Sequence, residues 1–163
     1  LESDSMAYMF QLRRSCKPGF TQSSPGRHSG LGLEPYLRVT SPLRRYADLL
    51  AHQQIYLHLT GQTPLSAEEI DRKLTLSEDA GAERRKAERY SDEYWTLVYF
   101  ALHPELKIAG KLVANQDGRL TFMLLDYAFE YKTKYRFNAD LDEVLTFGIR
   151  RADPVTLTLQ LTE

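Results

Sequence analysis

Arg44 and Arg45 stand side by side after a Thr40-Ser41-Pro42 step and ahead of a mostly apolar run that ends near Leu59. A guanidinium is a planar fork that can hold two oxygens of one phosphate, which the single ammonium of lysine cannot do. Two such groups at a fixed point suit recognition of a phosphodiester. The same residues also permit an ordinary reading, because Arg44 and Asp48 are four apart, the spacing of an intrahelical ion pair. The residue types leave both open.

Hydrolysis would need more than a phosphate grip. A hydrolytic nuclease requires carboxylates close enough to hold one or two divalent ions. Asp48 is alone in its stretch, Glu68, Glu69 and Asp71 read as a solvated helix start, and Asp140, Asp142 and Glu143 read as a turn between strands. None has the spacing of a metal cluster. His28 lies in a Ser-, Gly- and Pro-rich loop without an HxH or HExxH companion, which argues against zinc and leaves surface placement and substrate contact open. Cys16 is the single cysteine, so neither an internal disulfide nor a thiolate metal site is available. No Gly-rich nucleotide loop, GxSxG elbow or CxxC motif is present.

The elements that must position the arginines follow from pattern. Tyr36, Leu37 and Val39 favour an extended approach, Thr40 or Ser41 can cap a helix, and Pro42 fits its first turn, so a helix is expected from the Thr-Ser-Pro step onward. Leu43, Tyr46, Ala47, Leu50, Gln54 and Leu57 would face inward, while Arg44, Asp48 and His52 form a polar line. An earlier helix ends at Arg13-Arg14 and is stopped by Lys17-Pro18-Gly19. It reads as a helix beginning in mid-domain, with a preceding segment of the same protein expected.

Beyond Thr60-Gly61, Ser66 and Glu69 make a capping box for a helix to about Leu74. Ser77 is expected to cap a longer one to about Leu102, with Ala80, Ala87, Tyr90, Tyr94, Leu97, Val98 and Ala101 inward. His103-Pro104 closes the helical block. Five short strand patterns follow, the first two joined by Asp117-Gly118, a good hairpin turn. These suit a small barrel of the oligonucleotide-binding type. Tyr127, Phe129, Tyr131, Tyr135 and Phe137, interleaved with Lys132, Lys134 and Arg136, could stack bases, and alternating aromatics are equally what a barrel core requires.

Composition sets wide bounds. The 163 residues are 42% hydrophobic and 26% charged with a net charge of −1, so a strongly basic, nonspecific nucleic-acid coat is excluded. Local charge is another matter. Residues 1–59 carry Arg13, Arg14, Lys17, Arg27, Arg38, Arg44 and Arg45 against Glu2, Asp4, Glu34 and Asp48, so a positive excess surrounds the arginine pair. There is no apolar run of membrane-spanning length and no signal-peptide pattern, which makes cytoplasmic residence the default expectation.

The stretch HSGLGLEPYLRVTSPLRRYADLLAHQQIYLHL resembles the C-terminal signature of the ribonuclease II/ribonuclease R (RNB) catalytic domain: a His-x-x-Leu-Gly loop, a Tyr, and a Thr-Ser-Pro-Leu/Ile-Arg-Arg/Lys-Tyr-x-Asp helix. RRKAERYSDEYW resembles the family's Ala-Glu-Arg helix, and the strand-rich tail its C-terminal S1-type RNA-binding barrel. The resemblance implies an α+β chain, the C-terminal part of an RNB catalytic domain over residues 1–104 and a five-stranded barrel over 105–163. It implies a processive, hydrolytic 3′ to 5′ exoribonuclease that acts on single-stranded RNA, uses Mg2+ and releases nucleoside 5′-monophosphates. The complete protein is expected to be a monomer.

By the same resemblance Arg44 is the catalytic arginine at the scissile phosphate. Arg45, Glu88, His28 and Tyr36 are substrate-binding, and Thr40, Ser41, Tyr46 and Asp48 support the helix. The magnesium-binding aspartates are expected upstream of this chain, which alone would be inactive. Where the family usually has His-Arg the chain reads His52-Gln53, one cation fewer near the substrate, and its barrel is short. The alternative is a catalytically inactive RNA-binding or regulatory relative.

Overall fold

The computed structural model of the chain describes residues 5–17, 19–134 and 137–162. Its elements are α1 (Met6–Ser15), α2 (Tyr46–Leu59), α3 (Ala67–Leu102), β1 (Lys107–Gln116), β2 (Arg119–Leu124), β3 (Phe129–Thr133), β4 (Val144–Asp153) and β5 (Thr158–Thr162). The class is α+β, as expected. Two compact units emerge: one joins Leu1–Pro18 to Ala87–Glu163, the other is Gly19–Lys86. These units are cut differently from the 1–104 and 105–163 division of the sequence, since α1 belongs with the strands and α3 contributes to both.

In the first unit the strands form one antiparallel sheet ordered β3-β2-β1-β4-β5. The β1–β2 connection uses Asp117 and Gly118 at φ of 50° and 74°, the positive values that a tight hairpin turn of the primed type demands. At the two edges the Leu161 N–H of β5 donates to the Tyr131 hydroxyl of β3 at 3.3 Å. That bond draws the sheet into a nearly closed barrel.

Inside it, Ile108, Leu112, Leu120, Phe122, Leu124, Phe137 and Phe147 meet Leu97 and Phe100 from the end of α3. Phe122, Phe137 and Phe147 pack edge to face with centroids 5.0 to 5.6 Å apart, the geometry aromatic quadrupoles favour. Core packing thus accounts for most of the alternating aromatics. Tyr131 and Phe137 are buried, and Tyr127 and Phe129 pack against the core. Tyr135 and Arg136 lie outside the described residues.

The fit is tightest at Gly110. A Cβ there would come within 2.7 Å of the Phe147 ring and 3.1 Å of Leu124, so β1 and β4 reach this separation only over a glycine.

β1 is buried on both faces. A register irregularity between Leu112 and Ala114 accompanies a run of three buried residues. It sends Leu112 into the barrel and Val113 and Ala114 onto Phe10 of α1. α1 is fixed at its start by Ser5, whose hydroxyl accepts the Tyr8 N–H at 2.9 Å and donates to Asp142. The other Asp142 oxygen accepts the Ala7 N–H at 2.9 Å. The Ser5 bond, ahead of the cost of burial, holds the Asp142 carboxyl below the usual range. Arg13 and Arg14 sit in the last turn, where cations suit the helix dipole.

The second unit corrects several sequence expectations. α2 begins at Tyr46, not at Pro42, and residues 42–44 form a turn. Leu43, expected in the core stripe, is therefore fully exposed, and Tyr46 is also exposed, while Leu50 is buried.

α3 is one helix of 36 residues instead of two. Its capping box forms as expected: Glu69 N–H donates to Ser66 Oγ at 3.2 Å, and Ser66 N–H to Glu69 Oε2 at 2.9 Å. Ser77 does not interrupt it, because nothing near it removes a backbone donor or forces φ positive. The expected inward row of α3 is also revised. Ala80, Ala87, Tyr90 and Ala101 are exposed, and burial is confined to Leu74 near one end and Leu97 and Phe100 near the other. Asp71 accepts the Ser23 N–H and hydroxyl at 3.1 and 2.8 Å, so it anchors the long loop rather than facing solvent unpaired.

Gly110→Ala should destabilise the protein by about 1–3 kcal/mol through overpacking against Phe147. The denaturant midpoint measures this, and an unchanged midpoint would show that the barrel tolerates the extra carbon.

Candidate functional site

Asp48 lies in the first turn of α2 and is completely buried. Taking an ionised carboxylate out of water is costly unless charges and donors compensate. Here Arg45 donates from Nε and Nη2 to Asp48 Oδ2 at 3.1 and 2.7 Å, and the Ser41 N–H reaches the same oxygen at 2.9 Å. Arg38 Nε faces Oδ1 at 3.4 Å as an ion pair rather than a hydrogen bond. The Arg45 hydrogen bonds, ahead of the opposing effect of burial and then the Ser41 N–H, hold this carboxyl below the usual carboxylate range.

The segment entering α2 is tied down from both sides of this group. Arg45 Nη2 donates to Thr40 Oγ1 at 2.7 Å, and His52 Nε2 lies 2.7 Å from the Val39 carbonyl, which can only accept, so that nitrogen carries the proton. Ser41 C=O accepts from the Arg44 and Arg45 N–H groups at 3.2 and 3.0 Å, closing the turn.

The expected capping role of Thr40 and Ser41 is replaced. α2 has no side-chain cap, its N-cap is Arg45 in extended backbone, and Ser41 acts through its own N–H. The ordinary Arg44–Asp48 pair does not form either. Arg44 precedes the helix, where i,i+4 spacing no longer brings side chains together, and the carboxylate is taken by Arg45 at i,i+3. Among the described residues no carboxylate pairs with Arg44, and it is exposed.

His28 and Tyr36 are brought together, with ring centroids 4.7 Å apart and edge-on. Leu31 N–H donates to His28 Nδ1 at 3.1 Å, and the His28 N–H donates to the Leu33 carbonyl at 2.9 Å, so the loop closes on itself around this histidine. Both rings are exposed. Glu88 is exposed on the part of α3 that belongs to the other unit.

Among the described residues no group of three or more His, Cys, Asp or Glu side chains could hold a metal ion. Arg38 is the part of the arrangement that sequence spacing did not assign, whereas His52 falls in line with Asp48 as the spacing put it. Arg38 meets Asp48 across ten positions from an irregular segment, where no periodicity applies. No described helix is long and apolar enough to cross a membrane.

Helices joined to an antiparallel oligonucleotide-binding-type barrel, with a free arginine on a tethered turn, define an α+β architecture of RNB type. Residues 2–61 match the model of the RNB domain, and the chain belongs to the RNB family. It is 30% identical over 150 residues to an uncharacterized ribonuclease of Synechocystis, covering 86% of this chain and 22% of that protein. It is 40% identical over 105 residues to Exoribonuclease 2 of Yersinia pestis, covering 63% of this chain and 14% of the relative. The structure of Mycoplasma genitalium RNase R in complex with double-stranded RNA superposes with a TM-score of 0.74 at 20% identity, over 96% of this chain and 27% of that one. The chain thus spans 14% to 22% of the length of these two curated relatives.

Because Asp48 has a lowered pKa in the folded state, it adds stability that is fully present above the unfolded value of about 3.8 and is lost as pH falls through the lower, folded value. An acid titration of stability should therefore fall less steeply below about pH 4 in Asp48→Asn than in the parent. Parallel acid limbs would contradict the pairing.

Proposed function

We propose that this chain is the C-terminal part of a processive, hydrolytic 3′ to 5′ exoribonuclease that acts on single-stranded RNA and releases nucleoside 5′-monophosphates. The observation that carries this reading is Arg44, an exposed guanidinium without a carboxylate partner among the described residues, on a turn flanked by tethers at Val39, Thr40, Ser41 and Arg45. Such a group is pre-placed for an anion and has no internal charge to give up first. The names of the curated relatives, a ribonuclease and an exoribonuclease, support the choice of RNA phosphate as that anion.

In this reading Arg44 holds the scissile phosphate and stabilises charge that grows on its oxygens. Arg45 keeps Asp48 occupied with Nε and Nη2, and its remaining Nη1 edge is left to touch the RNA backbone. His28 and Tyr36 offer edge-packed rings on the same unit as Arg44, and Glu88 keeps the substrate-binding role that the resemblance of its Ala-Glu-Arg motif implies. No group of described side chains would hold the magnesium that the resemblance implies, and in this reading its carboxylates come from a preceding part of the polypeptide. These residues hold and orient phosphate; they do not generate the nucleophile. The barrel contributes capture through exposed Lys132 and Lys134, since its aromatics are largely committed to the core.

Arg44→Ala in the full-length polypeptide should lower single-turnover cleavage of a single-stranded oligoribonucleotide by about 100-fold or more while RNA affinity changes far less. Unchanged cleavage would remove Arg44 from the reaction, and a parent polypeptide that binds RNA but never shortens it would identify an inactive relative.

Reversing charge at both Lys132 and Lys134 to Glu should weaken RNA capture and flatten its salt dependence by roughly two counterions. Equal affinity and equal salt slope would exclude this face from the RNA path. Point changes are preferable to deleting residues 105–163, because α1 packs on β1 and would be exposed by the deletion.

A further inference from the structure

The two adjacent arginines are chemically identical, yet only one is released, and what separates them lies on α2. Asp48 and His52 are four residues apart and so project from consecutive turns of one helix. Each reaches back to the segment that precedes that helix. His52 Nε2 bonds to the Val39 carbonyl at 2.7 Å, and Asp48 Oδ2 receives the Ser41 N–H at 2.9 Å. Val39 and Ser41 are two apart in the segment, so the ties fall on either side of Thr40, where the chain bends. Thr40 between them is held by Arg45 Nη2 at 2.7 Å. The turn then closes on the Ser41 carbonyl, and Arg44 follows.

We propose that Asp48 and His52 are positioning residues: a two-point clamp that fixes segment 39–45 and divides the arginine pair, retaining Arg45 and leaving Arg44 for the phosphate. This inference rests on the reading of Arg44 as the phosphate-holding residue.

The charge on Asp48 does two things that an amide could not. It takes the Nε and Nη2 donors of Arg45 at one oxygen while facing Arg38 with the other, so the three groups together carry one positive charge instead of the two that Arg38 and Arg45 would carry alone. It also occupies the cation nearest in sequence to Arg44. Without it, Arg45 would be a second loose guanidinium beside Arg44, competing for the same phosphate oxygens and repelling its neighbour. His52 supplies direction instead of charge, because its bond to a carbonyl fixes where the segment crosses α2. Binding energy then need not be spent on ordering the backbone beneath Arg44, which is the general advantage of preorganisation.

The test is a double-mutant cycle of Arg44→Ala and Asp48→Asn in the full-length polypeptide, read by single-turnover cleavage of a short single-stranded oligoribonucleotide and, separately, by its Kd. Asp48→Asn is expected to slow cleavage by about 10- to 100-fold, the scale of a misplaced catalytic group, with Kd altered by less than about threefold. In the Arg44→Ala background the same change should cost nothing more. Should Asp48→Asn fail to fold, His52→Ala takes its place. That side chain is exposed, and its loss should slow cleavage by roughly tenfold in the parent and not at all beside Arg44→Ala.

Losses that add across the cycle, or a parent rate retained in both clamp variants, would overturn the clamp while leaving Arg44 in its role. Arg44→Ala without any loss of rate would instead overturn the phosphate-holding reading, and the clamp's function with it.

Discussion

A buried carboxylate is the constraint from which the local architecture of the arginine segment follows. Asp48 has no exposed surface, and an ionised group in that position must find donors or lose its charge. The donors available are Arg45 and the Ser41 N–H, with Arg38 adding its charge. Satisfying them bends the chain so that Arg45 occupies the N-cap position in extended backbone and the helix cannot begin at Pro42. A helix starting at the Thr-Ser-Pro step would satisfy its first amides with a hydroxyl. The observed one instead uses its own carboxylate, seven residues on, to fix the segment that leads in. The exposure of Leu43 and the freedom of Arg44 are consequences of that exchange.

The barrel obeys a different constraint, the filling of a small interior. Three phenylalanines in edge contact, with Leu97 and Phe100 entering from α3, take up the space that the five strands enclose. Aromatic residues in an oligonucleotide-binding-type sheet can face bases or the core, and the same ring cannot do both. Tyr131 illustrates the outcome: its ring is in the core and its hydroxyl ties β5 to β3. Lys132 and Lys134 are outside that competition and stay at the surface, Lys132 beside Glu130 at 3.3 Å.

What could be read from the sequence divides along the range of the interactions. The Ser66–Glu69 capping box, the Asp117-Gly118 hairpin, the five strands and the stop after α1 are set by residues within about four positions of one another, and all appear where spacing put them. The start of α2 and the continuity of α3 were not legible. Thr40 and Ser41 have the chemistry of caps, but a buried charge farther along outweighs a cap worth about 1 kcal/mol. Ser77 likewise has a capping side chain, but a serine inside a helix costs too little to end it. Arg38 reaching Asp48, Asp71 reaching Ser23 and Asp142 reaching Ser5 span ten to 137 positions, and no periodicity announces them.

The arginine pair shows how far sequence adjacency misleads about chemistry. Arg44 and Arg45 share a side chain, a charge and a family motif, and helical spacing would give Asp48 to Arg44. The backbone reverses this. With the turn extending through residue 44, only Arg45 lies on a path that meets α2 at i,i+3, so it becomes part of the frame. Arg44, one peptide away, projects from a fixed base with its charge uncommitted. A net charge of −1 for the whole chain says nothing of this, because local charge depends on pairing, and of the two adjacent guanidiniums only that of Arg45 is claimed by a carboxylate.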